Sequence, residues 1–171
     1  MRIVAISGSL RTSSSTAAVV RLAADVAPEV DFVFYDALGE LPHFSPDLDA
    51  DPPPPAVATL RALLSDADAL VICTPEYAHG MPGSLKNLLD WLVSWTGFAG
   101  MRVAALSASP SADGGKYALQ WLVQTLTMMS AEIVTTLTIP FVKQRLASND
   151  PRLREDLRGA IDALAKVSGA S

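Results

Sequence analysis

The sequence predicts an α/β protein built on a doubly wound sheet of five parallel strands in the order 2-1-3-4-5, with helices on both faces. Five β-like runs alternate with five helical ones along the 171 residues. Four of the β-like runs are nearly continuous in apolar residues, which is typical of parallel strands covered on both faces. Polar loops follow several of these runs, and ligands of such sheets bind at the carboxyl ends of the strands.

The individual elements follow from this alternation, with right-handed crossovers between successive parallel strands. The predicted strands are Arg2–Ser7, Val30–Tyr35, Ala69–Cys73, Arg102–Ser107 and Ile133–Thr138. The predicted helices are Ser14–Val26, Ala56–Ser65, Ser84–Ser94, Lys116–Met129 and Pro151–Val167. No internal repeat or second domain is evident, so we expect one domain over residues 1–171.

The third predicted helix has a continuous apolar stripe that we expect to face the core. Trp91 and Trp95, four residues apart, form a second apolar row, which would cover the sheet edge or form a subunit contact. The stripe follows the spacing i, i+3, i+4, i+7, i+8 and consists of Leu85, Leu88, Leu89, Leu92 and Val93.

The segment from Leu41 to Pro55 is rich in proline, with Pro52 to Pro55 consecutive. Proline at these positions excludes both a helix and a central strand. We interpret the segment as an ordered surface loop between the second strand and the second helix. A flap over the edge of a ligand is the alternative interpretation.

The amino-acid composition argues against a membrane protein, a disulfide-bonded protein and a nucleic-acid-binding protein. No window reaches the roughly 18 apolar residues of a membrane span, and the N-terminus lacks a signal-peptide pattern, so a cytoplasmic protein is expected. Cys73 is the one cysteine, which excludes an internal disulfide and favours an inert core thiol. Lys and Arg number 13 against 18 Asp and Glu, and the basic residues are scattered, so nucleic-acid binding is not expected.

The loop after the first strand has the composition of an anion site. Residues 8–16 read GSLRTSSST, with five hydroxyls between Thr12 and Thr16, one more on Ser9, and Arg11. Hydroxyls, an arginine and the N–H groups of a helix N-terminus together suit a phosphate. The absence of G-x-G-x-x-G and Gly-Lys-Ser/Thr motifs favours a phosphomonoester over a dinucleotide. Ser and Thr also cap helices without a ligand, so both interpretations stay open.

Two more loops are expected at the same edge of the sheet. Residues 75–83 read PEYAHGMPG, in which prolines and glycines impose turns around polar and aromatic residues. Residues 107–115 read SASPSADGG, whose glycines allow close approach to a flat ligand or only make a turn. Loops after strands one, three and four meet where the strand order reverses. Together they describe a mononucleotide site with an end for an aromatic ring.

These strings resemble the NADPH-dependent FMN reductase family, which includes flavodoxin-like quinone, azo and chromate reductases. The similarity lies in GSLRTSSST, in DADALVICTPEYAHGMPGSLKNLLDWL over residues 66–92, and in the Gly114-Gly115 loop. The resemblance extends in order and spacing through about residue 140. It implies a flavodoxin-like fold in which hydride passes from NADPH (or NADH) to FMN, followed by two electrons to a quinone, flavin or similar acceptor.

The resemblance also implies roles for individual residues. It places the FMN phosphate at Ser9, Arg11, Ser14, Ser15 and Thr16. It places the isoalloxazine ring beside Pro75, Glu76, Tyr77, Ala78, His79 and Gly80, largely through backbone groups. It closes the other side of the ring with Ser107, Ser109, Gly114 and Gly115. Because the flavin carries the redox chemistry, no residue is expected to act as an obligatory acid or base.

Two positions depart from the family pattern. Thr16 stands where the family commonly has Asn, and Ala78 stands where Asn or His is frequent. A side-chain hydrogen bond at position 78 is therefore in question. His79, displaced by one position, is either a solvent-facing residue or a contact to the ring or the acceptor. No metal site is expected, since His43 is the only other histidine.

Other classes of function are weighed against the reductase. A flavodoxin-type electron-transfer protein would dock on protein partners, but the ring loops carry little of the acidic charge typical of that class. A flavin-binding sensor without turnover is a further alternative. A serine hydrolase is disfavoured because no G-x-S-x-G motif is present. Relatives commonly form dimers or dimers of dimers, so the resemblance implies a homodimer or homotetramer.

Overall fold

The computed structural model describes residues 1–166 and contains a five-stranded parallel sheet in the order β2-β1-β3-β4-β5. The predicted architecture and strand order are confirmed. The strands are β1 (Arg2–Ser7), β2 (Asp31–Tyr35), β3 (Ala69–Thr74), β4 (Arg102–Ala108) and β5 (Glu132–Ile139). The helices are α1 (Ser15–Asp25), α2 (Pro55–Ser65), α3 (Gly83–Val93), α4 (Lys116–Met128), α5 (Val142–Ala147) and α6 (Pro151–Ala165).

The observed bounds coincide with the predicted ones or differ from them by at most two residues, and one α-helix was missed. Helix α5 has six residues and was not predicted, because it is too short to show a helical period. The last predicted helix ends at Ala165, and Val167 lies outside the described residues. Among residues 1–166, none of the helices has both the length and the apolar composition that crossing a membrane would need.

Alternate residues of the central strands enter two separate apolar layers, as the period of a β-strand requires. On one face, α2, α3 and α4 pack on a set that includes Ile6 and Ile72. On the other, α1, α5 and α6 pack on a set that includes Ile3 and Cys73. Cys73 is fully buried, and burial raises the pKa of its thiol above the ordinary value. A neutral core thiol, as the sequence suggests, is therefore found.

The apolar face of α3 is rotated relative to the prediction. Val93 is 50% exposed, whereas Trp91 is fully buried, so the predicted core position of Val93 and outward position of Trp91 are wrong. The Trp91 indole N–H donates to the Pro42 carbonyl at 2.8 Å, and its ring meets Phe44 edge-on with centroids 5.1 Å apart. The proline-rich segment therefore covers Trp91, which is neither a sheet-edge cover nor a subunit contact.

Further hydrogen bonds hold this segment on α3 and α2, which agrees with its interpretation as an ordered surface loop. Asn87 of α3 accepts from the Phe44 N–H at 2.7 Å and donates to the Pro42 carbonyl at 2.9 Å. Arg61 of α2 pairs with Asp49 at 3.1 Å. The loop after β2 is thus fixed along the helix that begins beside the β3 loop.

Gly114 packs directly against the end of β5. Its φ is +64°, and a Cβ at this position would lie 2.9 Å from the Pro140 nitrogen and 3.1 Å from backbone atoms of Ile139. Its carbonyl also accepts a hydrogen bond from the buried Ser107 hydroxyl at 2.9 Å. The close backbone approach at this glycine is therefore to β5 of the same chain.

We expect Gly114→Ala to lower the free energy of unfolding by about 2–3 kcal/mol, because a rigid backbone must move and a left-handed φ becomes costly. Gly159→Ala in α6 is the matched control, since its Cβ would meet nothing within 4 Å. That change should raise stability by about 0.5–1 kcal/mol. Chemical denaturation measures both, and equal effects of the two substitutions would refute the packing account.

Candidate functional site

The loops after β1, β3 and β4 enclose a cleft of about 250 Å³ at the carboxyl edge of the sheet. Adjacent strands bring the first two loops together, because the Gly8 N–H donates to the Cys73 carbonyl at 2.9 Å and extends the β1–β3 ladder. The residues lining the cleft are Ser9, Arg11, Ser13, Ser14, Ser15, Thr16, Pro75, Glu76, Tyr77, Ala108, Ser109, Pro110, Val142 and Lys143.

One end of the cleft is formed by the N-terminus of α1. Ser14 caps this helix by accepting a hydrogen bond from the Ala17 N–H at 3.2 Å. The N–H groups of Ser15 and Thr16 precede the first intrahelical hydrogen bond, so they are available to an anion. The first turn holds no acidic residue that would neutralise the positive end of the helix dipole.

Thr16 contributes to this end through its backbone rather than its hydroxyl. The side chain is 1% exposed, and its hydroxyl oxygen lies 2.8 Å from that of Ser7 and 2.7 Å from that of Ser14. The hydroxyl therefore connects the end of β1 to the cap of α1. The expected hydroxyl contact of Thr16 with a phosphate finds no support in this geometry.

Two basic side chains flank the same end. Arg11 is exposed on the β1 loop, and Lys143 is exposed on α5. Neither takes part in the ion pairs found within residues 1–166. Lys143 was missed in the sequence because α5 was not predicted. Helix dipole, arginine and lysine together give this end of the cleft a positive potential.

The β3 loop makes a tight hairpin turn at the other end. Tyr77 and Gly80 exchange two backbone hydrogen bonds of 3.0 Å, and between them Ala78 and His79 have φ of +50° and +59°. Two successive positive φ values are those of a type I′ turn, which favours Asn and Gly. The Asn common at position 78 in the family therefore has a backbone explanation, and no side-chain hydrogen bond is needed there.

Glu76 lines the cleft, and its carboxylate reaches the N-terminus of α4. Its Oε2 accepts hydrogen bonds from the N–H groups of Tyr117 at 3.0 Å and Ala118 at 3.1 Å. These are among the first-turn N–H groups of α4, which lack intrahelical partners. The side chain is thus engaged in a helix cap, which leaves it poorly placed to act as a general base.

Six of the expected site residues do not line the cleft. The His79 ring stacks on Tyr117 with centroids 4.7 Å apart, so it faces α4. Gly115 precedes α4 with φ +83°, next to Gly114. The residues outside the cleft lining are Ala78, His79, Gly80, Ser107, Gly114 and Gly115. The turn at 77–80 and the packing of the β4 loop on β5 account for these displacements.

The β4 loop contributes the expected Ser109 to the cleft, together with two residues that were not expected. Ser107 is buried because β4 extends to Ala108, and its hydroxyl donates to the Gly114 carbonyl. Ala108 and Pro110, on either side of Ser109, are the two unexpected residues in the cleft lining. Both residues lie just after the apolar run of β4, which was the signal available in the sequence. The predicted strand ended at Ser107, one residue before the observed end at Ala108.

A second cavity of about 690 Å³ adjoins the cleft and shares Arg11 and Tyr77 with it. Leu41 and His43, at the start of the proline-rich segment, form part of its wall. This end of the segment therefore borders the space beside the cleft, while the rest of it packs on α3. Within residues 1–166, no group of three or more His, Cys, Asp or Glu side chains is placed to hold a metal ion.

The chain is similar to known flavoenzymes along most of its length. The NADPH-dependent FMN reductase model matches residues 1–144. The chain is 34% identical over 131 residues to an NAD(P)H-dependent FMN reductase of Pseudomonas aeruginosa, covering 75% of this chain and 71% of that one. A solved structure of the flavoenzyme NAD(P)H:(acceptor) oxidoreductase from Paracoccus denitrificans has a TM-score of 0.79 at 23% identity, covering 96% and 97% of the two chains.

A third relative matches more closely over a shorter stretch. A 2-hydroxy-1,4-benzoquinone reductase from a Burkholderia species is 44% identical over 92 residues. The match covers 53% of this chain and 49% of that protein, so the chain spans about half of that relative's length.

The sheet order and the flanking helices are those of the flavodoxin-like fold, which confirms the predicted fold class. Within that class the chain belongs to the NADPH-dependent FMN reductase family, as its motifs indicated. FMN is the cofactor of this family, and NAD(P)H is its electron donor.

We expect Ala78→Asn to raise the free energy of unfolding by about 0.5–1 kcal/mol, because Asn tolerates the left-handed φ better than Ala does. Ala50→Asn, at an exposed loop position without a positive φ, is the control and should be neutral or slightly destabilising. Urea denaturation measures both variants. A destabilised Ala78→Asn variant would mean that the type I′ geometry is wrong.

Proposed function

We propose that this protein passes electrons from NAD(P)H through FMN to a quinone or a similar small acceptor, and that the cleft between the β1, β3 and β4 loops is its FMN site. The observation that supports this proposal is that the two ends of the cleft differ, one being positively charged and the other aromatic. One end combines a free helix N-terminus with Arg11 and Lys143, and the other presents the ring of Tyr77. A ligand with a phosphate at one end and an aromatic ring system at the other matches these two ends.

At the phosphate end, the backbone N–H groups of Ser15 and Thr16 would donate to phosphate oxygens. The Ser14 hydroxyl lies at the same end, the Ser9 hydroxyl lines the cleft next to Tyr77, and Arg11 supplies a guanidinium that can bind two oxygens at once. Lys143 adds a second positive charge from α5. These groups fit a dianionic phosphomonoester without any metal ion.

At the ring end, Tyr77 is 49% exposed, and its hydroxyl lies 3.5 Å from that of Ser9. This contact joins the β1 and β3 loops across the cleft. Pro75 and Tyr77 would border one side of the ring, and Ser109 and Pro110 of the β4 loop would border another. Of the residues that the sequence assigned to the ring, Ala78, His79, Gly80, Ser107, Gly114 and Gly115 would act by shaping these loops.

FMN, when bound, accepts hydride from the nicotinamide and delivers two electrons to the acceptor. The protein's own part is to bind, orient and partly cover the ring. Glu76 is engaged with α4, and His79 stacks on Tyr117, so neither is held ready to transfer a proton in the cleft. We therefore assign no side chain as an obligatory acid or base.

A quinone is the favoured acceptor on two grounds. The Burkholderia relative carries the name 2-hydroxy-1,4-benzoquinone reductase. The cavity of about 690 Å³ beside the cleft has apolar side chains, among them Leu10, Leu38 and Leu41, and shares Tyr77 with the proposed ring end. A flat, weakly polar acceptor suits such a space.

Three wider features belong to the proposal. Residues 1–171 are taken as one domain, and the cytoplasm as its location, because that compartment supplies NAD(P)H. A homodimer or homotetramer is favoured by an exposed apolar groove of about 510 Å³ between α3 and α4. Val93, Trp121 and Met128 line that groove and are each at least half exposed.

We expect Arg11→Ala to weaken FMN binding more than tenfold, which corresponds to about 1.4 kcal/mol, because a charged phosphate contact is lost. Arg152→Ala, on the exposed face of α6 away from the cleft, is the control and should leave the FMN dissociation constant unchanged. Quenching of FMN fluorescence measures both constants. Unchanged FMN affinity in Arg11→Ala would remove Arg11 from the phosphate site.

The proposed activity is tested under anaerobic conditions with the FMN-loaded protein. NADPH should bleach the visible flavin bands, and benzoquinone should restore them, with steady NADPH consumption when both are present. Flavin that stays oxidised with both NADPH and NADH would contradict the oxidoreductase. Bleaching that benzoquinone does not reverse would contradict the quinone as acceptor. It would still support the reduction of bound FMN by NADPH.

A further inference from the structure

We propose that Glu76 is a positioning residue whose carboxylate, by capping α4, fixes the β3 turn as the wall of the FMN ring end. The inference rests on the proposed function, because it concerns how that same cleft is shaped. It assigns Glu76 a role through α4 in place of the contact with the ring that the family resemblance implies.

The first observation is that α4 takes its cap from another part of the chain. Helices α1 and α6 are capped by the residues directly before them, Ser14 and Asp150. Helix α4 begins after Gly115, which has no side chain to cap it. Glu76, 41 residues earlier than Tyr117, supplies the missing acceptor through both of its hydrogen bonds.

The second observation is that the turn contacts α4 at two further points. The His79 ring lies on the Tyr117 ring with an interplanar angle of 27°. Gly80 lies under Trp121, where a Cβ on the glycine would come within 3.2 Å of the indole. Glu76, His79 and Gly80 thus hold the whole turn against the first two turns of α4, and Tyr77 projects from this fixed turn toward the cleft.

The third observation concerns charge. Two helix N-termini lie close to the cleft, those of α1 and α4, and each would attract an anion. The Glu76 carboxylate occupies the N-terminus of α4, whereas no acidic side chain lies in the first turn of α1. An acceptor oxygen at position 76 thus takes the first-turn N–H groups of α4, while those of α1 stay available to the phosphate.

The test compares Glu76→Ala, Glu76→Gln and Glu76→Asp with the unmodified protein. Gln keeps a carbonyl oxygen of the same reach, while Asp keeps the charge but is one methylene too short. Asp150→Ala is the matched control, because Asp150 caps α6 by accepting from the Arg152 N–H at 2.9 Å and does not line the cleft. Two measurements are made: hydrogen exchange of the Tyr117 and Ala118 amides without FMN, and the FMN dissociation constant.

We expect Glu76→Ala and Glu76→Asp to speed exchange at both amides at least tenfold and to weaken FMN binding about fivefold. Glu76→Gln should stay within twofold of the unmodified protein in both measurements. Asp150→Ala should lower the melting temperature without changing FMN affinity. Should Glu76→Ala fail to fold, Glu76→Asp and Glu76→Gln still show whether the length of the side chain or its charge is required.

Three results would overturn the inference. Fast amide exchange with unchanged FMN affinity in Glu76→Asp would reduce the cap to a purely structural role. Weak FMN binding by Glu76→Gln with normal amide protection would mean that the carboxylate contacts FMN directly. Normal protection in Glu76→Asp would mean that the cap is not made. No FMN binding by the unmodified protein would instead refute the proposed function, while the exchange data would still report on the cap.

Discussion

The hydrogen bond from the Gly8 N–H to the Cys73 carbonyl joins the two loops on which the candidate site depends. It continues the β1–β3 ladder past the last strand residue, at the point where the strand order reverses. The space there is tight, because a Cβ would lie 2.9 Å from Leu85 Cδ2 and 3.3 Å from Pro75 Cδ, so a larger residue would require these side chains to move. The β1 loop therefore leaves the sheet in contact with the β3 loop, and the cleft opens between them.

The N-termini of α1 and α4 both lie next to this junction, but only that of α1 is open to an anion, which makes the two ends of the cleft different. The N–H groups of α1 stay available beside Arg11, whereas those of α4 are taken by Glu76. Negative charge is thus attracted to one end of the cleft only. The aromatic side chain of Tyr77, carried on the turn that Glu76 holds, lies at the other end.

Much of the fold could be predicted because apolar runs and their alternation with helices are local signals. The strands to within one residue and the three loops of the cleft follow from such signals, whereas the full strand order follows from the resemblance to the flavodoxin-like family. Trp91, Lys143 and the role of Glu76 could not be predicted, because each depends on a contact with a distant segment. Trp91 is covered by Pro42 and Phe44, Lys143 is carried by a helix of six residues, and Glu76 caps a helix 41 residues away.

The most direct test of the polar cleft is to measure, by calorimetry, the affinities of the unmodified protein for FMN and for riboflavin, which lacks the phosphate. Because the ring end is open and the phosphate end combines a helix N-terminus with two basic side chains, FMN should bind at least a hundredfold more tightly, about 2.7 kcal/mol. Increasing salt should reduce that difference. Equal affinities for the two flavins would contradict the assignment of the α1 N-terminus to the phosphate, and with it the orientation of the cofactor in the cleft.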